Sequence, residues 1–352
     1  MTILVILESP AKAPKIQKIL KSLGHDVIVK ASYGHISDLD KKSLSIDVNN
    51  NFKPIYKMSL DKRNVISELK KAYQKCDKQI FLASDFDREG EAIAWHISEQ
   101  LKIPKDNRKR LLFTEITKTA LKNAIENPKM LDMNMFYAQQ CRRIIDRLIG
   151  WLITPLLWKY IQNSMKKGIS LSAGRVQSVA NKLIIEREEE IEKFSTDSYF
   201  KTYGKFEYNK HKIDGELVQK IENKDKTYDF LELCANSDFK IGDIKKTNSK
   251  KSSPAPFTTS TIQQEASNKF RIGPKKLMMI LQKLYEGGFI TYMRTDSTII
   301  SEDILNDIEQ MVLKEYGKPY SSKKQYKKKS KNSQEAHEAI RPTDISLQQL
   351  EE

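Results

Sequence analysis

The chain of 352 residues is long enough for two to four domains with packed cores. It is 39% hydrophobic and 30% charged; we expect no transmembrane helix, because no apolar run is long enough, and no signal peptide at the N-terminus. The net charge of +15 favours a polyanionic partner such as nucleic acid, although a lysine-rich proteome would give the same excess. Cys76, Cys141 and Cys234 form no C-x-x-C pair, which argues against a zinc ribbon within the chain or a disulfide framework and favours a reducing compartment.

The first 130 residues alternate short apolar runs with helical periodicity. Ser9 is the predicted N-cap of the first helix and Gly24 its end. A βαβ series of this kind predicts a parallel sheet covered by helices. The predicted strands are TILVILE, HDVIVKAS, KQIFLAS and RLLFTEI, and the predicted helices are SPAKAPKIQKILKSLG, KRNVISELKKAY, EGEAIAWHISEQL and TKTALKNAIEN.

The rest of the chain is predicted to be mainly helical, with one β-rich stretch. Residues 131–195 indicate two helices, the first broken at Pro155 and the second beginning near Gly174. Residues 198–250 alternate aromatic and polar side chains, which predicts β-structure. Helical patterns then return, and the lysine-dense residues 318–334 are predicted to form a solvated loop.

An acidic cluster follows the predicted strand KQIFLAS. Asp85, Asp87 and Glu89 lie in DFDREGE directly after that strand, and Glu8 follows the first strand in the same way. Strand ends of this kind are where α/β sheets build their sites. Carboxylates that converge there would repel one another unless a cation compensated them, and Mg²⁺ prefers oxygen ligands. The pattern therefore favours a divalent metal site over a merely solvated acidic loop.

Two further polar residues have open interpretations. Lys12 lies in the first turn of the predicted first helix, where a phosphate could bind, but an ordinary surface lysine would look the same. His35, in SYGHISDL, lies in a predicted turn, and a lone histidine there is more often incidental than catalytic.

The segment GGFITYMRTDS places Tyr292 two residues before Arg294. On a strand these two side chains would share a face. A tyrosine is a poor nucleophile at neutral pH, and a nearby cation would stabilise the charge on a phosphate under attack. Spacing alone leaves both alternatives open, a nucleophile with its cation or a tyrosine that only packs.

Taken together, the motifs resemble those of the type IA DNA topoisomerases, over residues 3 to about 344. TYMRTDS and GRVQSVA are similar to the topoisomerase I branch rather than the topoisomerase III branch. No other family combines this acidic cluster with these helical signatures. The motifs, in chain order, are ESPAK, GHISDL, SDFDREGEAIAWH, RRIIDRLIGW, LSAGRVQSVA, FTTSTIQQEAS, ITYMRTDS and EAHEAIRPTD.

The resemblance implies roles for particular side chains. Tyr292 would be the nucleophile, and the other catalytic residues would be Arg294, Lys12, Glu8 and His337. The implied ligands of Mg²⁺ are Glu8, Asp85, Asp87 and Glu89. The residues implied to hold DNA are His35, Arg143, Asp146, Arg175, Gln177 and Arg341.

The implied fold is a multidomain α+β protein: an α/β TOPRIM domain, with a parallel sheet and flanking helices, plus mainly helical domains and a partial β-rich arch. The TOPRIM-like domain would cover residues 1–130, within which 36–60 is a candidate insertion. The implied domains after it are a helical strand-binding domain at 131–197, the arch at 198–256 and a helical domain with the nucleophile at 257–352.

The implied activity is ATP-independent relaxation of negatively supercoiled DNA by transient cleavage of a single strand, through a 5′-phosphotyrosine intermediate. The sequence contains no G-x-x-x-x-G-K-[ST] loop, so no nucleotide cofactor is expected. We expect a cytoplasmic, nucleoid-associated monomer that is not bound to a membrane. The alternatives are a TOPRIM nuclease or primase, and a DNA-binding fragment that does not turn over.

The chain departs from the family pattern in three places. Proline stands at position 14, which suits the first turn of a helix, and Phe86 replaces a usual proline, which is expected to loosen the acidic loop. Family members continue beyond the HEAIRPT motif, so we expect this chain to be a C-terminally truncated portion with an incomplete ring around DNA.

Overall fold

The computed structural model describes residues 2–76, 79–161, 170–249, 253–326, 337–347 and 349–350. The chain divides into two compact units, one formed by residues 1–173 together with 253–352 and the other by residues 174–252. Among the residues described, no helix is both long and apolar enough to cross a membrane.

The strands and helices follow one another along both units. The strands are β1 (Ile3–Leu7), β2 (Val27–Ala31), β3 (Ser37–Leu39), β4 (Ile46–Asp47), β5 (Lys53–Pro54), β6 (Tyr56–Met58), β7 (Ile80–Ala83), β8 (Lys109–Arg110), β9 (Lys129–Met130), β10 (Tyr203–Tyr208) and β11 (His211–Glu216). The helices are α1 (Ala13–Ser22), α2 (Arg63–Lys75), α3 (Arg88–Gln100), α4 (Lys118–Glu126), α5 (Met133–Tyr160), α6 (Gln177–Lys193), α7 (Lys224–Ala235), α8 (Thr259–Phe270), α9 (Pro274–Glu286) and α10 (Glu302–Glu315).

A five-stranded sheet lies at the centre of the first unit, in the order β2-β1-β7-β8-β9. Its strands are parallel except for the last pair, β8 and β9. The predicted parallel sheet with flanking helices is therefore confirmed. Between β2 and α2 the chain forms two small antiparallel sheets, β3 with β6 and β4 with β5.

Strand β1 is buried on both faces, as expected for the middle of a parallel sheet. Because side chains alternate along a strand, Leu4 and Ile6 pack into one core with helices α2 and α3. Ile3, Val5 and Leu7 pack into the other core, with α1 and α4. The apolar run of β1 thus supplies both cores.

The second of these cores also contains side chains from far along the chain. Leu277 and Leu281 of α9 and the residues Tyr292 and Ile340 belong to the same buried cluster as Val5. We call residues 257–347 the tyrosine segment. This segment packs against the sheet and completes its core.

The second unit contains α6, an antiparallel hairpin and a further helix. The hairpin pairs β10 with β11, which confirms β-structure in part of residues 198–250. Helix α7 was not predicted; Asn223 caps it by accepting hydrogen bonds from the backbone N–H groups of Asp225 and Lys226.

Two predictions about local structure were wrong. Helix α5 is not broken at Pro155 but continues through it to Tyr160, because a proline removes a single backbone donor and the remaining turns hold. The predicted strand RLLFTEI is confined to Lys109 and Arg110. After one more bond, from Leu111 N–H to Leu82 O, the chain leaves the sheet, and the carbonyl of Thr114 instead accepts the backbone N–H of Tyr292.

Candidate active site

The carboxyl ends of β1 and β7 bring two parts of the acidic cluster to one edge of the sheet. Leu7 pairs with Ala83 in parallel register, so the residues that follow each strand lie side by side. Glu8 follows β1, and Asp85 follows β7. The geometry expected from the alternating pattern is therefore present.

A buried arginine fixes the backbone of the acidic loop. Arg110 is fully buried on β8, and its guanidinium donates to the carbonyl oxygens of Ser84, at 3.2 Å, and Asp85, at 3.1 Å. The same group is neutralised by Glu91, whose Oε2 lies 2.9 Å from Nε. Sequence reasoning missed this arginine, although a charge inside an apolar strand is a signal that a buried partner exists.

The first turn of α3 approaches the acidic loop closely. The Asp87 side chain is the N-cap and accepts the backbone N–H of Gly90 at 2.8 Å. A Cβ atom at position 90 would lie 2.0 Å from the carbonyl oxygen of Asp85, which is too close for any side chain. Glycine in DREGE therefore allows the helix to begin directly against the loop.

Lys12 is a buried member of the cluster, which rules out the alternative of an ordinary surface lysine. It ends a 3₁₀ turn, Pro10–Lys12, that Ser9 caps, and α1 begins at the next residue. Its side chain is 1% exposed, and its ammonium hydrogen-bonds the Asp85 carboxylate and stands 4.6 Å from the ring centre of Tyr285. The hydrogen bond to Asp85 and the cation–π attraction to the Tyr285 ring together hold the Lys12 ammonium in place.

Tyr292 meets the acidic cluster directly. It lies outside regular strands, 2% exposed, and its hydroxyl donates to Asp87 Oδ2 at 2.5 Å. Burial, followed by the charges of Asp87 and Asp85, raises the pKa of Tyr292 well above its ordinary value. The resting side chain is therefore a neutral phenol with a proton acceptor in place. Arg294 Nη1 lies 3.7 Å from the same carboxylate oxygen.

The side chain of Glu8 has a pKa close to neutral pH. Burial, and next the charge of Asp85, raise its pKa to about 7, while Lys12 opposes the shift. A carboxyl group in this state can give or take a proton near neutrality.

Two aromatic rings pack beside Tyr292. His337 is buried, with its ring centre 5.7 Å from that of Tyr292 and 4.9 Å from that of Phe86. Burial lowers the pKa of His337. Tyr285, which sequence reasoning did not single out, packs edge-to-face on Tyr292 with centres 5.2 Å apart.

Arg341, from the motif EAHEAIRPTD that also contains His337, is buried and pairs with two carboxylates. Its Nη2 is 3.0 Å from Glu115 Oε2 and 2.6 Å from Glu338 Oε2. Its predicted contact with DNA remains a prediction.

Glu89 contacts a different set of residues from Glu8, Asp85 and Asp87. Its Oε2 accepts from Gln139 at 3.0 Å and is 3.1 Å from His35 Nε2, and the bond to His35 is the main cause that lowers the pKa of Glu89 to about 2. In the described part of the chain, no three His, Cys, Asp or Glu side chains are arranged to hold a metal ion.

Apart from Arg341, the residues predicted to hold DNA fall into two groups. Arg143 donates to both oxygens of Asp38, one of them at 3.0 Å, on the wall of a cavity of about 110 Å³. Arg175 and Gln177 lie at the start of α6 in the second unit. The cavity is lined by His35, Ser37, Asp38, Tyr56, Glu89, His96, Gln139, Arg142, Arg143 and Asp146.

Comparison with known proteins agrees with this geometry. The Toprim domain family matches residues 3–116, hereafter the Toprim segment, and the DNA topoisomerase family matches residues 130–352. The full-length topoisomerase I of Thermotoga maritima superposes with a TM-score of 0.78 at 36% sequence identity, over 97% of this chain and 55% of that one.

A sheet edge with paired carboxylates and a buried lysine, facing a tyrosine from a distant segment, defines a Toprim site completed by a candidate nucleophile. The chain belongs to the DNA topoisomerase family, in its bacterial type IA class. It spans about half the length of the Thermotoga maritima protein.

Proposed function

We propose that this chain carries the strand-cutting and strand-joining chemistry of a type IA DNA topoisomerase. The observation that carries the proposal is the hydrogen bond from Tyr292 to Asp87, which joins the nucleophile to the acidic cluster. Its substrate is a single-stranded region of negatively supercoiled DNA, and it acts as a monomer in the cytoplasm, on the nucleoid.

The cutting step is a transesterification in which atoms and charge balance. The Tyr292 oxygen attacks a backbone phosphorus, a bond forms between them, and the bond from phosphorus to the 3′ oxygen breaks. Asp87, which already accepts the phenol hydrogen bond, is placed to take the proton. Glu8, with a pKa of about 7, is placed to protonate the leaving 3′ oxygen.

The cations of the site act on the phosphate charge. Lys12 is fixed by Asp85 and Tyr285, while the Arg294 side chain is 58% exposed and free to turn from Asp87 toward a bound phosphate.

Because the tyrosyl ester conserves the energy of the broken bond, the 3′ hydroxyl can reverse the attack. The cycle therefore needs no nucleotide, and it can relax DNA but not supercoil it.

The carboxylates also suit a divalent cation. Glu8, Asp85 and Asp87 supply the oxygen donors that Mg²⁺ prefers, and after burial the charge of Asp85 is the next cause that raises the pKa of Glu8. We propose that these three side chains, with Glu8 deprotonated, would turn to hold Mg²⁺, since in the described residues no three such groups already stand in place for a metal ion. Glu89 is engaged by His35 and Gln139. When bound, the ion would supply charge neutralisation that supports strand handling and rejoining.

The decisive experiment uses a single-stranded oligonucleotide labelled at its 3′ end. A denaturant-stable protein–DNA adduct is expected with the unmodified chain and with Tyr316→Phe, an exposed control, but not with Tyr292→Phe. Cleavage without an adduct would support a Toprim nuclease instead. Binding without either would support a DNA-binding fragment.

A further inference from the structure

Lys15 links the Toprim segment to the end of a helix in the tyrosine segment. It lies in the first turns of α1, and its Nζ donates to the carbonyl oxygen of Gly287 at 2.6 Å, with Gly288 O at 3.5 Å. The two partners are separated by 272 residues in sequence. Lys15, three residues after Lys12, thus contacts a part of the chain that is distant in sequence.

The chemistry of this contact favours a cation. Gly287 caps the C-terminus of α9, where backbone carbonyls lack partners within the helix and carry partial negative charge. Burial lowers the pKa of Lys15, which agrees with an ammonium withdrawn in part from water. The ring of Phe289 lies 5.5 Å from the same ammonium.

The receiving backbone is shaped for close approach. Gly288 has a φ of +68°, and a Cβ there would lie 2.3 Å from Lys15 Nζ and 2.9 Å from the carbonyl oxygen of Ile116. Thr343 Oγ1 donates to the Gly288 carbonyl at 2.8 Å. Lys15, Ile116 and Thr343, from three different parts of the chain, therefore surround Gly288 and leave no room for a side chain there.

A second polar link lies beside the nucleophile. The guanidinium of Arg341 lies 3.0 Å from Glu115, and the backbone N–H of Tyr292 donates to the carbonyl oxygen of Thr114 at 2.8 Å. Both contacts join the tyrosine segment to the last residues of the Toprim segment. Arg341 retains Glu338 as a partner if the link to Glu115 is broken.

We propose that the hydrogen bond from Lys15 to Gly287 holds the tyrosine segment on the Toprim segment, and that breaking this bond lets the cut DNA ends separate. This inference rests on the proposed function: one end is esterified to Tyr292 and the other stays beside Glu8, so a strand can pass only if the two segments part. Lys15 is a positioning residue, and it touches no reacting atom.

The first test needs no DNA. In Lys15→Met, hydrogen exchange at the backbone amide of Tyr292 is expected to be on the order of tenfold faster than in the unmodified chain, because a charge-assisted bond that holds the interface is lost. Lys18→Met removes the same charge from the exposed face of α1, and is expected to change nothing. Lys15→Arg should restore protection. Equal hydrogen-exchange rates at the Tyr292 amide in Lys15→Met and Lys18→Met would contradict the proposed role of Lys15.

The second test follows the adduct. With a labelled oligonucleotide, Lys15→Met is expected to cut at the normal rate but to reseal several-fold more slowly after salt is added, so the adduct fraction at equilibrium rises. A residue with a purely structural role would lower cutting and resealing together, and that result, or unchanged resealing, overturns the proposal. If the unmodified chain forms no adduct, the proposed function fails and the role in strand separation fails with it, while the exchange experiment reports separately on the contact.

Discussion

The hydroxyl of Tyr292 and the carboxylate of Asp87 form a 2.5 Å hydrogen bond between residues 205 positions apart in the chain. The acceptor is the N-cap of α3, so it is fixed by the backbone of that helix as well as by the tyrosine. The phenolic proton of Tyr292 therefore has a defined acceptor in the structure.

Replacing that acceptor should change how cutting depends on pH. In Asp87→Asn the phenol loses its proton acceptor, and cutting at pH 7 is expected to fall by roughly 10²–10⁴-fold. The remaining activity should rise about tenfold per pH unit toward pH 9, since only preformed phenolate can attack. The measurement is the initial rate of adduct formation from pH 6 to 9, and an unchanged rate or profile in Asp87→Asn would contradict the assignment.

Glu8 should make the fold less stable as pH rises. Its pKa is about 7 in the folded chain, against 4.5 for an unperturbed glutamate side chain, so the folded state binds the extra proton between these values. Its contribution is fully present below pH 4.5 and is lost as pH rises through 7. In Glu8→Gln this dependence should disappear, with a gain of roughly 2–3 kcal/mol at pH 8.

Urea unfolding of both proteins at pH 5 and pH 8, with a chelator present, measures this effect. Glu89→Gln provides a contrast of opposite sign, because the pKa of Glu89 is lowered to about 2 and its contribution is lost as pH falls. Parallel pH profiles for Glu8→Gln and the unmodified chain would show that Glu8 is not perturbed.

Arg110 should be essential to the fold as well as to the acidic loop. Arg110→Met leaves the buried Glu91 carboxylate without its cationic partner and is expected to cost about 3–5 kcal/mol in the free energy of unfolding. Adding Glu91→Met should recover part of that loss. The double variant should still form little adduct, since the carbonyls of Ser84 and Asp85 remain without their donor. Chemical denaturation and the adduct assay decide this, and normal adduct formation by the double variant would refute the positioning role.

Gly90 should not tolerate a methyl group. Gly90→Ala places a Cβ 2.0 Å from the carbonyl oxygen of Asp85, so the loop or the helix must move, at a cost of about 1–3 kcal/mol. Gly242→Ala is the matched control, because no atom lies within 4 Å of the added carbon there. Thermal unfolding of both variants measures the difference, and equal melting temperatures would exclude the clash.

Local patterns in the sequence predicted the elements that carry the site. The apolar runs before Glu8 and Asp85, and the glycine after the acidic loop, are each explained by a few neighbouring residues. What could not be predicted is the identity of partners that are distant in sequence. The local pattern left Lys12 open between a phosphate-binding and a surface lysine, because its partners, Asp85 and Tyr285, lie 73 or more positions away.

Three further features could not be derived from local sequence rules. Pro155 was expected to end a helix, but the neighbouring turns of α5 hold it in place. Arg110 was part of a predicted strand. Its hydrogen bonds to the backbone of the acidic loop form only because β8 pairs with β7. Glu89 shares a motif with Asp85 and Asp87, yet its contacts are with His35 and Gln139.

The core that joins β1 to α9 and Ile340 has a consequence for the order of synthesis. The sheet emerges from the ribosome first, with Lys12 and the acidic loop, while the residues that cover one of its faces are still untranslated. A nascent chain that ends before α9 therefore presents an uncovered apolar face and lacks Tyr292. Under the proposed function, cutting requires translation to pass Tyr292, so a chain interrupted earlier would form no adduct with DNA.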